Sequence, residues 1–262
     1  MKIGFYDSGL GGVKTLKDII DMGLKEEIYY LADEKNKPYG TKSVEEVKKI
    51  ARENVKRLID LGCEIIVIAC NTATSVAIAD LRKEFIDIEI IGTEPAVKLA
   101  NNEHLHKNVL TIATTITVNG EKLKQLIEKL DDDIEYDLLA ADKLVTLIED
   151  ENFLNNQEEV NSYLEKLLEP YNFSDYSHII LGCTHFPIVK ENIENILKEQ
   201  NIDVKVIDGN HGIGRNLFKK IEERGSRNEK LKLNIISTAD NPAFWKRAKE
   251  ILGDIEYKNL EI

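Results

Sequence analysis

Two cysteines stand in matching settings. The β-branched run Ile65-Ile66-Val67-Ile68-Ala69 delivers Cys70-Asn71-Thr72-Ala73, and Ile179-Ile180-Leu181-Gly182 delivers Cys183-Thr184-His185-Phe186-Pro187. In each, a buried-type strand ends at a thiol, and small polar residues follow before a helical pattern. A thiolate is the reactive form of cysteine, and a helix N-terminus or a nearby cation favours it. One cysteine after an apolar strand usually reads as inert packing. Two such cysteines, each beside a threonine and one beside His185, point to chemistry instead. His185 can orient a substrate or exchange a proton with it, or simply lie on the surface before the helix that follows Pro187. Cys183 and His185 alone would suit the nucleophile and base of a hydrolase, a reading that leaves Cys70 idle. A cleft that binds an amino acid without reacting is a further alternative. Cys63 has no comparable neighbours and reads as core.

Other stretches offer groups for holding a small anion. Asp7-Ser8-Gly9-Leu10-Gly11-Gly12 follows the first strand and opens a helix, so its amides and Ser8 can hold a carboxylate at the helix N-terminus. The alternative is a glycine-rich turn with Asp7 as a cap. A dinucleotide fingerprint fails here because its third glycine would fall on Lys14, although Asp33 ends the second strand where a ribose-binding acid could sit. Pro38-Tyr39-Gly40 signals a turn whose amides can also receive a carboxylate. Thr114, Thr115 and Thr117 follow the Val109 to Ala113 strand and can either face the same ligand or cap a helix. Glu149 closes an apolar run within an acidic stretch and reads as a solvated carboxylate. His104, His106 and His211 share no motif, so no metal site is expected.

The elements that must position these groups follow from pattern. Strand-like runs occur at Ile3 to Tyr6, Ile28 to Leu31, Ile65 to Ala69, Ile88 to Ile91, Val109 to Ala113, Ile134 to Leu138, His178 to Leu181, Val204 to Ile207 and Leu233 to Ile236. Between most of them apolar residues recur at helical spacing, as in Val44, Val47, Ile50, Ala51, Val55, Leu58 and Ile59. This alternation predicts an α/β fold with mostly parallel, doubly wound sheets whose ligands lie beyond the carboxyl ends of the strands. The two thiol-bearing segments suggest two similar lobes, with crossovers near Gly92 to Pro95 and Asp208 to Asn210.

Composition narrows the class. At 262 residues and 42% hydrophobic content the chain can form one large or two small domains. A net charge of −12 and a pI near 5.0 disfavour nucleic acid, since the basic stretch Lys219 to Lys232 is interleaved with glutamates. Met1 leads directly into a strand, so no signal peptide is expected, and the apolar runs are too short to span a membrane. Three cysteines without metal-cluster spacing suit a reducing cytoplasm.

Taken together, the Asp7 to Gly12, Pro38 to Gly40, Cys70 to Ala73 and Leu181 to Pro187 segments resemble, in order and spacing, the motifs of the glutamate racemases of the aspartate/glutamate racemase superfamily. The resemblance spans nearly the whole chain. It implies two α/β domains related by a pseudo-twofold, residues 1–95 plus 208–262 and residues 96–207, with the active site in the cleft between them. It also implies a C-terminal segment that returns to the first domain, no pyridoxal phosphate or metal, and a supply of D-glutamate for peptidoglycan and hence cell-wall shape. It leaves a homodimer open. By position, Cys70 is similar to the family's base on the D-glutamate side and Cys183 to the one acting on L-glutamate. Asp7 and His185 resemble their respective helpers, and Glu149 falls where a further carboxylate is placed. Ser8, Pro38, Tyr39, Gly40, Asn71, Thr72, Thr114, Thr117 and Thr184 resemble substrate-binding groups, while Gly120 and Leu123 depart from the Ser and Tyr often found there. Two thiols in opposite protonation states suffice for racemisation, one removing the α-proton and the other returning one to the opposite face. Aspartate racemase is the near alternative.

Overall fold

The computed structural model describes every residue except 104, 106, 131–133, 227, 261 and 262, so His104 and His106 lie outside the described residues. The chain divides into two units, Met1–Thr93 with Asn210–Ile262, and Glu94–Gly209.

The first unit runs β1 (Lys2–Asp7), α1 (Leu10–Asp21), β2 (Glu27–Ala32), α2 (Val44–Asp60), β3 (Ile65–Ile68), α3 (Asn71–Glu84) and β4 (Glu89–Gly92). The second holds α4 (Val97–Asn102), β5 (Asn108–Ala113), α5 (Thr115–Asn119), α6 (Glu121–Ile127), β6 (Tyr136–Ala140), α7 (Asp142–Glu149), α8 (Gln157–Leu168), β7 (Tyr176–Leu181), α9 (Lys190–Glu199) and β8 (Lys205–Asp208). The chain then returns to the first unit as α10 (Asn210–Glu223), β9 (Lys232–Ser237), α11 (Pro242–Leu252) and β10 (Tyr257–Leu260).

Both sheets are parallel, with orders β10-β9-β2-β1-β3-β4 and β6-β5-β7-β8. The run β2-β1-β3-β4 and the run β6-β5-β7-β8 share one order, in which the first strand of each set is flanked by its second and third. The chain therefore reverses its winding at β1/β3 in one unit and at β5/β7 in the other. Such reversals open a crevice at the carboxyl ends of the strands.

Burial explains the strands. Ile65, Ile66, Val67 and Ile68 are all fully buried, as a parallel strand covered on both faces requires. Ile3, Phe5, Val67, Leu16 and Ile213 share one core, while Leu110, Ile112, Ile179, Leu181 and Ile193 share another. Local signals fix helix starts: Ser43 and Glu46 close a reciprocal capping box on α2, and Asn241 caps α11 ahead of Pro242. One expected strand shifts, and one strand was not expected. The strand expected at Ile134 to Leu138 begins at Tyr136, because Ile134 turns into the core with Leu123 and Val109. β10 carries no β-branched residue and exposes Lys258 and Asn259, so nothing in its composition announces a strand. Among the described residues no helix is long and apolar enough to cross a membrane.

Candidate active site

In the first unit the crevice edge carries Asp7 and Cys70. Asp7 is the last residue of β1 and fully buried, and its Oδ2 accepts from the amides of Gly9 (3.0 Å) and Gly12 (2.9 Å). It thus ties its own carboxylate to the turn that starts α1. Gly12 is required by close approach: a Cβ there would lie 2.3 Å from Asp7 Cβ and 2.6 Å from the Tyr30 hydroxyl. Gly12→Ala is therefore expected to destabilise the fold by about 1–3 kcal/mol and to lower turnover, since Asp7 or Tyr30 must move. Unchanged denaturant melting with unchanged turnover would refute that close-approach argument.

Cys70 is the N-cap of α3, with its Sγ accepting from Ala73 N at 3.5 Å. A helix N-terminus favours negative charge. Asn71 and Thr72 follow in the first turn, and all three side chains are nearly enclosed. Ser8 is buried in the turn after Asp7. Cys63, by contrast, is a packing residue, with burial pushing its thiol up to about 12.

The Pro38-Tyr39-Gly40 segment opens a short 3-10 turn, Tyr39–Thr41, with Pro38 exposed and Tyr39 buried. Tyr39 donates to Asp33 Oδ2 at 2.6 Å and accepts from the Tyr6 hydroxyl at 2.7 Å. Burial pushes both phenols far above their usual range, reinforced by the charge of Cys70 on Tyr6 and by Tyr6 and Asp33 on Tyr39, so both stay neutral. The Tyr39 hydroxyl is thus engaged within the protein, which leaves main-chain amides as the turn's donors for a ligand. Asp33 is not poised for a ribose either. Its fully buried carboxylate accepts from Asn36, Tyr39, Asn54 and Thr238. Sequence reasoning missed this hub because its partners are scattered from residue 36 to residue 238.

In the second unit β7 ends at Leu181, and Gly182 N donates to Ile112 O at 2.7 Å before the chain turns out through Cys183, Thr184 and His185. The three side chains are almost fully buried. Cys183 Sγ lies 3.7 Å from His185 Nδ1, and His185 Nε2 lies 2.5 Å from Glu149 Oε1. His185 is thus buried, not superficial. The solvated reading of Glu149 is corrected: its side chain is 12% exposed and faces His185, because α7 buries Leu144 and Ile148 and leaves its last residue at the imidazole. Burial, the largest single influence on His185, opposes a charged ring. Hydrogen bonds to Cys183 and Glu149, with their negative charges, outweigh it and hold the ring well above its usual 6.5. Thr114 and Thr117, buried beyond β5, bond to each other through their hydroxyls at 3.0 Å. Thr114 makes no side-chain cap on α5. Among the described residues no cluster of three or more His, Cys, Asp or Glu is arranged to hold a metal ion.

Each unit thus offers one enclosed thiol at the carboxyl end of the third strand of its set, with an acid or acid–histidine pair nearby. That arrangement suits an enzyme acting on a small molecule. The family model for Asp/Glu/Hydantoin racemase matches residues 20–212, and the chain belongs to that family. It is an amino-acid racemase, an isomerase. A glutamate racemase from Lachnospira eligens is 42% identical over 233 residues, 88% of this chain and 85% of the relative. The crystal structure of a Bacillus anthracis glutamate racemase matches with a TM-score of 0.88 at 29% identity, over 99% of this chain and 96% of that one. A Francisella tularensis glutamate racemase solved in complex with D-glutamate matches with a TM-score of 0.83 at 30% identity, over 100% and 96%.

Proposed function

We propose that this racemase interconverts L- and D-glutamate by two-base proton transfer between Cys70 and Cys183, without pyridoxal phosphate or metal. The carrying observation is that two four-strand runs of the same order each lead from their third strand to an enclosed cysteine two residues on. Relatives named glutamate racemases support the substrate.

From L-glutamate, the Cys183 thiolate takes the α-proton while the Cys70 thiol gives one to the opposite face. The product is D-glutamate, and the thiols have exchanged protonation states, so the reverse reaction runs from there. His185, held by Glu149, assists Cys183, and Asp7 assists Cys70. Ser8, the Tyr39 and Gly40 amides, Asn71, Thr72, Thr114, Thr117 and Thr184 supply donors for the substrate's carboxylates. Fixed donors stabilise the carbanion-like charge without the reorganisation that water would need. In this reading the enzyme works in the cytosol and supplies D-glutamate to peptidoglycan synthesis.

Circular dichroism of L-glutamate incubated with purified protein and a chelator tests the reading. The expected result is decay of ellipticity to zero, with no gain from added pyridoxal phosphate. A requirement for that cofactor or for a divalent metal would overturn the cofactor-free mechanism, and turnover of aspartate alone would overturn the substrate.

A further inference from the structure

We propose that Thr238 and Asn241, in the turn between β9 and α11, are positioning residues for the Pro38-Tyr39-Gly40 turn and act on it through Asp33 and Glu34. The proposal rests on the reading above only in assigning that turn to the substrate.

The carboxyl ends of four neighbouring strands form a row. Thr238 N donates to Ala32 O at the end of β2, Asp33 N to Asp7 O at the end of β1, and Ala69 N to Tyr6 O. The row therefore passes from β9 through Asp33 and Asp7 to the segment that delivers Cys70. At its outer end the Thr238 hydroxyl donates to Asp33 Oδ1 at 2.8 Å and accepts from Lys35 N at 3.0 Å. Asn241 Nδ2 donates to Glu34 Oε2 at 2.6 Å, while its Oδ1 accepts from Ala243 N and Phe244 N at the start of α11. Its amide is thereby oriented by the helix it caps. Among the described residues the second unit's sheet has no counterpart to β9 and β10.

The link to Tyr39 is the Asp33 carboxylate. One oxygen receives Tyr39, Asn54 and Asn36, and the other receives Thr238 and Asn36. A buried carboxylate needs its donors, and removing one lets it rotate toward those that remain. Rotation at Asp33 moves the anchor of Tyr39, and with it the turn's main-chain amides.

The test compares Thr238→Val, Thr238→Ser and Asn241→Ser by hydrogen exchange and by kinetics. Valine keeps the shape and removes both bonds, serine restores both, and Asn241→Ser keeps the cap on α11 while falling short of Glu34. We expect amide exchange across residues 33–41 to rise several-fold in Thr238→Val, less in Asn241→Ser, and to return to wild type in Thr238→Ser. Residues 71–84 should stay unchanged. KM for glutamate should rise about tenfold in Thr238→Val with kcat little altered, the scale of one lost hydrogen bond to a charged group. In a Tyr39→Phe background the same substitution should add almost nothing, since both act on one link. Wild-type exchange across 33–41 in folded Thr238→Val, or KM effects that multiply independently of Tyr39, would overturn the proposal. Wild-type protein that leaves glutamate unchanged would refute the substrate assignment, and the exchange measurement would still decide the positioning role.

Discussion

Cys70→Ala and Cys183→Ala are each expected to lower racemisation by roughly 10²–10⁴-fold, the contribution of a well-placed acid or base. The enantiomers have equal free energy in water, so kcat/KM must fall equally from both sides in either variant. Rates of inversion therefore cannot tell the two thiols apart, whereas isotope exchange can. In D2O a remaining thiolate can still remove the α-proton from the enantiomer facing it and return deuterium to the same face. Cys70→Ala, which keeps Cys183, should retain more exchange with L-glutamate, and Cys183→Ala more with D-glutamate. NMR of α-proton loss beside optical rotation makes the measurement. A serine at position 70 controls for folding, because its hydroxyl can replace the sulfur that caps α3 but is a far weaker acid than a thiol and stays un-ionised near neutral pH. Wild-type racemisation by either alanine variant would sink the two-base mechanism, and a trapped acyl-enzyme on Cys183 would favour a hydrolase instead.

Legibility in the sequence followed the range over which each determinant acts. The parallel α/β class was readable because Ile65 to Ile68 and Ile179 to Leu181 are continuous apolar strands, and α2 shows both its periodicity and its capping box. The loops bearing Cys70 and Cys183 were readable for the same reason: they come directly after those strands. What was hidden is the set of partners. Glu149 looks solvated along the chain, since only folding brings the last residue of α7 to His185, 36 positions later. Asp33 looks like a ribose acid for want of any local sign of Asn54 or Thr238. β10 is short, polar and at a sheet edge, where neighbours supply the order that its own residues do not.

The second large effect is expected at the helpers, and equal free energy of the enantiomers shapes it too. His185→Asn should lower kcat mainly from L-glutamate and Asp7→Asn mainly from D-glutamate, with KM shifting so that kcat/KM stays matched between directions. Asparagine at position 7 can still accept from Gly9 and Gly12 through its carbonyl, so the loss there reports charge and not the turn. If both variants kept wild-type kcat in both directions, neither side chain would be a helper. At His185 the argument extends to pH. Its Nε2–H donates to Glu149, and in the charged ring Nδ1–H faces the Cys183 sulfur. The charged ring persists because Cys183 and Glu149 together overcome the penalty of burial, so its pKa lies well above 6.5. Stability contributed by this pair is fully present below about 6.5, the ordinary histidine value, and drains away as pH rises through the raised value. Activity that needs the charged ring falls over the same alkaline range. Glu149→Gln removes one of the charges that hold the proton, and burial then pulls the pKa down. The alkaline limb of kcat from L-glutamate should therefore move to lower pH in Glu149→Gln, with a larger loss at pH 8.5 than at pH 7. A limb that stays in place would mean that Glu149 orients the ring without setting its charge.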